Sequence, residues 1–232
     1  MASSFFFTVH AEERICVLRL QSPDGTNRLT STCVLALNEA VGKWAGDARS
    51  LVITGNQKFF SAGADLAEIA SLSGPAAYEF SKMGQGLMKL IEQFPAPVYA
   101  AIHGYCMGGG LDLALACHRR IASPRAVFGH RGAVLGLITG WGGTQRLPRL
   151  IGKARALQMF VAAEKLDATE ALQVGLVDAV ADDPVAEAVR RINLSPSERE
   201  VPTPGLNSHT RTPTHLNINR IADEKSPCLP GG

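Results

Sequence analysis

The residues of this chain whose types and spacing could do chemistry lie around a run of three glycines. Gly108, Gly109 and Gly110 lead directly into an apolar helical pattern that contains a single acid, Asp112. Glycine lets another group approach the backbone closely, and the first amides of a helix have no intrahelical partner. The helix dipole also makes that end electropositive. The segment therefore predicts a site for an oxygen that carries or develops negative charge, with a tight packing turn as the alternative.

Two further motifs flank this segment. Residues 59–66 read FFSAGADL upstream, and residues 140–147 read GWGGTQRL downstream. In this order and spacing, the three motifs resemble the crotonase superfamily, also called the enoyl-CoA hydratase/isomerase family. The resemblance covers roughly residues 5–192. It implies the acyl-CoA chemistry of fatty acid metabolism, carried out by a lyase or an isomerase.

Strands and helices alternate along the chain, which indicates an α/β fold with much parallel pairing. The resemblance narrows this to a crotonase-like spiral of repeated ββα units. The predicted strands are at residues 14–20, 50–54, 98–102 and 176–180, with a strand pair near 119–129. The predicted helices are at residues 31–44, 75–94, 111–118, 142–150, 153–163, 167–175 and 183–192, with a short helical turn at 65–71. On the first helix, the apolar face is formed by Val34, Leu37, Val41 and Trp44.

The composition changes near residue 193. Residues 1–192 are expected to form the crotonase-like domain, whereas residues 193–232 are rich in proline and polar residues. We expect this tail to be disordered or loosely attached. Members of the family usually continue here with helices that close the acyl pocket and build a trimer, and we expect this chain to lack them. The resemblance implies a homo-oligomer based on a trimer, but the missing helices leave the oligomeric state open.

The resemblance assigns the predicted oxyanion site to two backbone amides. Those of Ala64 and Gly109 match the positions that bind the thioester oxygen of an acyl-CoA as it gains enolate character. Donors of this kind contribute roughly 3–4 kcal/mol each to catalysis. Coenzyme A would be part of the substrate, not a permanently bound cofactor, and would be held by Ala62, Gly63, Ala64, Asp65, Leu66 and Gly108. For the side chain of Asp65, capping of the following helical turn is the alternative.

The acid and base positions are where this chain departs from the family pattern. A hydratase of the family uses one glutamate that falls on Asp112 and a second that falls on Gly132. A third acidic position, used by some isomerases and dehalogenases, falls on Gly140. Because glycine cannot transfer a proton, hydration with two glutamates is not expected. His130 and Arg131 are candidate replacements, with a structural role as the alternative for the histidine.

Asp112 itself has two interpretations. An acid in the first turn of a helix is stabilised by the helix dipole without any catalytic role. A buried acid among leucines is costly without partners, however, which favours a side chain that faces a pocket. The sequence leaves both interpretations open. Trp141 is expected to line the acyl part of such a pocket.

Composition and motifs argue against several other classes of protein. The net charge of +2 gives no strong attraction to nucleic acid, and no apolar run is long enough for a membrane span. Five cysteines, without a CxxC pair, are typical of reduced thiols and of a cytoplasmic protein. The six histidines show no metal-ligand spacing, so no metal is expected. The common nucleotide-binding glycine motifs and the GxSxG nucleophile motif are absent from the sequence.

Two functional hypotheses follow. The first is an acyl-CoA-processing enzyme that stabilises a thioester enolate, with Asp112 as its one obvious acid or base. Its reaction would be hydration, double-bond isomerisation or thioester hydrolysis. The second is a non-catalytic protein that binds acyl-CoA or partners an oligomer, and that has kept the fold but lost the chemistry. The carboxylate at 112 favours the enzyme, and the glycine at 132 favours the binding protein.

Overall fold

Strands and helices alternate in the computed structural model, which describes residues 2–3, 5–11, 14–47 and 49–194. The predicted α/β class is confirmed. The strands are β1 (Ala2–Ser3), β2 (Phe7–Ala11), β3 (Ile15–Leu20), β4 (Arg28–Leu29), β5 (Ser50–Thr54), β6 (Phe59–Ser61), β7 (Gly63–Ala64), β8 (Val98–Ile102), β9 (Tyr105–Met107), β10 (Arg119–Ala122), β11 (Val127–Gly129), β12 (Lys165–Asp167) and β13 (Ala179–Val180). The helices are α1 (Ser31–Trp44), α2 (Leu66–Ala70), α3 (Gly74–Glu92), α4 (Gly109–Ala116), α5 (Gly143–Ile151), α6 (Lys153–Val161), α7 (Ala168–Gln173) and α8 (Pro184–Asn193).

The larger sheet of the described residues has the order β1-β2-β3-β5-β8-β10-β13. Its strands run parallel from β3 to β13, and β1 and β2 are antiparallel at one edge. Every residue of β5 and β8 is buried. Both faces of a central parallel strand are covered, so its sequence is a continuous apolar run and not an alternating one. This is why short apolar runs were sufficient to predict these two strands.

A second sheet, in the order β12-β11-β9-β6, brings together the segments that lead into the predicted site. Strands β6, β9 and β11 run parallel to one another, with Cys106 opposite both Ser61 and Phe128. The carboxyl ends of parallel strands meet at the same edge of a sheet. The residues after these three strands, which include Ala64, Gly109 and His130, therefore come together.

The strands predicted as a pair near residues 119–129 do not pair with each other. Strand β10 joins the larger sheet beside β8, whereas β11 joins the second sheet beside β9. A turn in which the Ala126 amide donates to the Ser123 carbonyl, at 3.0 Å, separates the two strands. The predicted pairing was wrong because a short apolar run does not specify its partner strand.

Local side-chain bonds determine where two of the predicted helices start. The hydroxyl of Thr30 accepts a hydrogen bond from the Cys33 amide at the start of α1. Asp167 and Glu170 form a reciprocal capping box at the start of α7. Such caps are visible in the sequence because the bonded groups are only three residues apart. The predicted apolar face of α1 is buried at three positions and half-buried at the fourth: Val34, Leu37, Val41 and Trp44.

Helix α8 is the last element among the described residues, and it ends at Asn193. The prediction of a disordered tail over residues 193–232 falls almost wholly on residues 195–232, which lie outside the described part of the chain. The boundary after residue 192 and the character of the tail therefore stay predictions.

Candidate active site

A cavity of about 720 Å³ lies where the second sheet meets helices α2, α3 and α4. Five of the six predicted coenzyme A positions line it, together with Gly109: Ala62, Gly63, Ala64, Leu66 and Gly108. Asp112, His130 and Trp141 also line it, and most of the remaining wall is apolar. An apolar cavity with a few polar groups is the usual form of a site for a small organic ligand.

The two predicted oxyanion amides approach each other closely at this cavity. A Cβ atom on Gly109 would lie 3.2 Å from the Ala64 nitrogen, and one on Gly63 would lie 3.0 Å from the Gly109 nitrogen. Gly63 also has a φ of +95°, which side chains rarely allow. Gly109 is the first residue of α4, so its amide has no intrahelical partner. The glycines of both motifs are therefore required by the contact between the two segments.

Buried polar side chains hold the upstream segment in place. The Ser61 hydroxyl donates to the Asn27 carbonyl at 2.7 Å and accepts from the Gly63 amide at 3.0 Å. The side-chain amide of Asn27 donates to the carbonyls of Phe59 and Phe60. The three bonds that involve Asn27 join residues more than 30 positions apart. They fix the backbone that presents Ala64 to the cavity.

Asp65 caps a helix. Its carboxylate accepts from the Glu68 amide at 3.0 Å, at the start of α2. It also lies 3.7 Å from the guanidinium of Arg28, which is half exposed. The structure thus supports the capping alternative for this side chain, whereas its predicted contact with coenzyme A stays a prediction.

Asp112 is fully buried in the first turn of α4. The hydroxyl of Thr139 donates to its Oδ2 atom. Its Oδ1 atom has no hydrogen-bond partner among the described residues and lies 3.5 Å from Nε2 of His130. Since Asp112 also lines the cavity, the structure supports the pocket-facing interpretation.

Burial raises the pKa of Asp112 from its usual value of 3.8 to about 7. Four groups oppose this shift by stabilising the charged form: the Thr139 hydroxyl, the Arg146 guanidinium and the backbone amides of Trp141 and Gly143. Removal of the carboxylate from water outweighs them. Near neutral pH this side chain can therefore both take up and release a proton.

His130 follows β11 and is only 3% exposed, with its ring centroid 5.0 Å from that of Phe160. Burial lowers its pKa to about 4, so its ring is neutral at pH 7. From the sequence, His130 was only one of two candidate replacements for the absent acid at 132, and the structure places it beside Asp112. The other candidate, Arg131, is an exposed residue that lines the same cavity.

Known proteins share this sequence pattern and fold. The family model for enoyl-CoA hydratase/isomerase matches residues 10–194. This chain belongs to the enoyl-CoA hydratase/isomerase family. A probable enoyl-CoA hydratase of Bacillus subtilis is 43% identical to it over 175 residues, which are 74% of this chain and 67% of that protein. A crotonyl-CoA hydratase of Syntrophomonas wolfei is 42% identical over 172 residues, 73% of this chain and 66% of that protein.

Solved structures agree with this assignment. The structure of DspI from Pseudomonas aeruginosa is 33% identical, with a TM-score of 0.78, over 83% of this chain and 75% of that chain. The predicted membership of the crotonase superfamily and its fold are confirmed. The chain spans about two thirds of the length of the two curated relatives named above.

In this enoyl-CoA hydratase/isomerase family chain, the backbone leaves little room for a side chain at Gly132, whereas Gly140 is close only to a side chain. A Cβ atom on Gly132 would lie 2.6 Å from the Leu137 carbonyl oxygen, because the Leu137 amide donates to the Gly132 carbonyl and closes the loop. A Cβ atom on Gly140 would lie 2.8 Å from the Ser81 hydroxyl. A side chain at Gly132 would thus require the backbone to shift, whereas one at Gly140 would require only the Ser81 hydroxyl to move.

Thr139, the residue that donates to Asp112, was not predicted from the sequence. The only signal was a single hydroxyl between an apolar stretch and the glycine-rich downstream motif. Trp141 lines the cavity, in agreement with its predicted place. Its indole nitrogen donates to the Phe80 carbonyl at 3.3 Å, which fixes the ring against α3.

The described residues also bear on the expectations for metal ligands, membrane-spanning helices and disulfides. No group of three or more His, Cys, Asp or Glu side chains there could hold a metal ion. Within the same residues, no helix is long and apolar enough to cross a membrane. The cysteines of this part, Cys16, Cys33, Cys106 and Cys117, are buried and free, and Cys228 lies outside it. The expectations of a cytoplasmic protein and of a trimer-based homo-oligomer stay predictions.

Proposed function

We propose that this protein is an acyl-CoA-processing enzyme that hydrates or isomerises an enoyl-CoA, with the thioester oxygen bound between the amides of Ala64 and Gly109. The observation that carries the proposal is the close approach of these two segments beside a buried carboxylate. Both relatives are named as enoyl-CoA hydratases, and the name of the second, a crotonyl-CoA hydratase, favours a short enoyl-CoA as substrate. Coenzyme A enters as part of that substrate and contacts the predicted positions Ala62, Gly63, Ala64, Asp65, Leu66 and Gly108.

The two amides act on charge that develops during the reaction. As the thioester becomes an enolate, negative charge accumulates on its carbonyl oxygen. Donors that are held by the backbone need no reorganisation at that moment, and each contributes roughly 3–4 kcal/mol. The Gly109 amide also lies at the positive end of the α4 dipole.

Asp112 supplies the acid and base chemistry. It lies three residues after Gly109, on the same face of α4. In hydration, the ionised carboxylate takes a proton from water while the water oxygen bonds to the β-carbon and the double-bond electrons move to form the enolate. The carboxyl group then returns that proton to the α-carbon, and the thioester carbonyl reforms. A pKa of about 7 suits both halves of this cycle.

A non-catalytic acyl-CoA-binding protein is the second candidate. The glycines at 132 and 140 favour it, because neither supplies an acid or base. The cavity could then hold an acyl chain without any proton transfer. Binding alone, however, does not require a fully buried carboxylate, which is costly to remove from water. We therefore favour the enzyme.

The decay of the enoyl-thioester ultraviolet absorbance of crotonyl-CoA tests the proposal. The natural protein is compared with Asp112→Ala and with Asp182→Ala, an exposed acid ahead of α8 that serves as a matched control. We expect turnover by the natural protein and the control, and a loss of about 100-fold or more in Asp112→Ala. Binding is measured in parallel by calorimetry.

Each other outcome has a definite meaning. Binding without hydration leads to an assay of double-bond shift in a 3-enoyl-CoA, and inactivity there supports the binding protein. If no short- or medium-chain acyl-CoA binds to well-folded protein, both candidates are wrong.

A further inference from the structure

The site contains two buried polar atoms that face each other and have no other partner. Oδ1 of Asp112 and Nε2 of His130 are both buried, and neither forms a hydrogen bond within the described residues. They are 3.5 Å apart, and both residues line the cavity. A buried polar atom is costly when it is unpaired, so such a pair indicates a contact that closes in at least one protonation state.

We propose that His130 is a positioning residue for Asp112, with its Nε2–H group donating to Oδ1 of the ionised carboxylate. This inference rests on the proposed function, in which Asp112 is the acid and base. Thr139 already donates to Oδ2. With His130, a side-chain donor faces each carboxylate oxygen, in addition to the nearby backbone amides of Trp141 and Gly143. Two anchors fix the orientation of the carboxylate that has to transfer the proton.

The charge of the pair follows from burial. The low pKa of His130 keeps its ring neutral, so the pair carries either one negative charge or none. When Asp112 is ionised, the Nε2–H tautomer donates to it. When Asp112 is protonated on Oδ1, the Nδ1–H tautomer lets Nε2 accept the proton of the carboxyl group. His130 can therefore satisfy Asp112 in both states of the catalytic cycle.

Other charged groups act on Asp112 from separate elements. Arg146 on α5 stabilises the ionised form, and the Cys106 thiol on β9 stays neutral because burial raises its pKa well above the usual value. Arg131 and Lys165 line the same cavity. Loss of His130 would leave these groups in place and would remove the donor that faces Oδ1.

The test compares His130→Phe with His130→Gln. Phenylalanine keeps a ring against Phe160 and removes the donor, whereas glutamine keeps an amide donor. In His130→Phe we expect kcat to fall about ten- to hundred-fold with little change in KM. The limb of the pH profile on which the rate rises as Asp112 ionises should move to higher pH, because loss of a donor to the charged form raises the pKa of an acid. His130→Gln should retain most of the rate and the position of the limb.

Two measurements that need no turnover separate this inference from the proposed function. Carboxyl ¹³C NMR titration of Asp112 should give a higher pKa in folded His130→Phe than in the natural protein. In the natural protein above about pH 8, long-range ¹H–¹⁵N NMR should show the ring proton of His130 on Nε2. This second measurement requires no variant to fold.

An equal Asp112 pKa in the two proteins, or a ring proton on Nδ1 at that pH, would overturn the positioning role. An unchanged kcat in His130→Phe would also overturn it. The pKa of Asp112 could be raised in His130→Phe while the natural protein turns over no enoyl-CoA. In that case the contact stands, and only the proposed function is rejected.

Discussion

Gly143 lies directly against the carboxylate of Asp112, and a Cβ atom at Gly143 would overlap Oδ1 and lie 3.1 Å from Nε2 of His130. Gly143→Ala is therefore expected to displace the carboxylate from its present position beside Thr139 and His130. We expect a large loss of crotonyl-CoA turnover and a decrease of about 1–3 kcal/mol in the free energy of unfolding, measured in urea. Gly74→Ala, at an open position at the start of α3, is the control. Full activity and stability in Gly143→Ala would show that the contact is not needed.

Gly109→Ala should disturb the predicted oxyanion amides. The added Cβ atom would lie 2.6 Å from Cζ3 of Trp141 and 3.2 Å from the Ala64 nitrogen, so the two segments would have to separate. Because a displaced oxyanion donor typically costs about 10²–10³ in rate, we expect kcat to fall by that factor. The exposed Gly86→Ala on α3, where the nearest atom would be 3.9 Å away, is the control. Equal kcat values for the two variants would argue against an oxyanion role for Gly109.

Gly132→Glu should not create a two-glutamate hydratase. The Cβ atom would lie 2.6 Å from the Leu137 carbonyl oxygen, so the loop would open before the carboxylate could reach the cavity. We expect no gain in kcat and a lower thermal midpoint. Ala133→Glu adds the same charge at the next, exposed residue and should leave the midpoint nearly unchanged. A clear gain in hydration by Gly132→Glu would mean that the loop adapts more easily than its packing indicates.

The free energy of unfolding of the protein should depend on pH through the ionisation of Asp112. Its pKa is raised from 3.8 to about 7, so its contribution to stability is fully present below pH 3.8 and is lost as the pH rises through 7. Asp112→Asn stays neutral throughout. Relative to the natural protein, its free energy of unfolding should rise by about 1.4 kcal/mol per pH unit between pH 5 and 6 and level off above about pH 7.

Urea unfolding of both proteins from pH 4 to pH 8 measures this difference. The pKa of His130, lowered from 6.5 to about 4, adds stability that is lost as the pH falls through 4. It does so in both proteins, so the effect largely cancels in the comparison. If the difference in free energy of unfolding between the two proteins does not change over this pH range, Asp112 is already ionised throughout it in the folded protein.

The parts of the fold that could be predicted are those that depend on neighbours in the chain. Thr30 and Asp167 bond to amides three residues away, so both helix starts were visible. Strands β5 and β8 were visible because burial on both faces requires an apolar run. Strands β6, β7 and β9 are two or three residues long and have no periodicity, and were missed. Their partners are distant in the chain, so pairing alone defines them.

The site, like the fold, has features that the sequence predicts and features that only the tertiary structure sets. The sequence by itself determined the family, the glycines at which two segments of backbone meet, and the presence of one acid at 112 with none at 132 or 140. Only the tertiary structure decided what surrounds that acid. Thr139 is 27 residues from Asp112, and His130 follows a strand whose position is set by β9 and β12. Burial and the proximity of these groups set the pKa values of the site, and neither can be read from the spacing of residues along the chain.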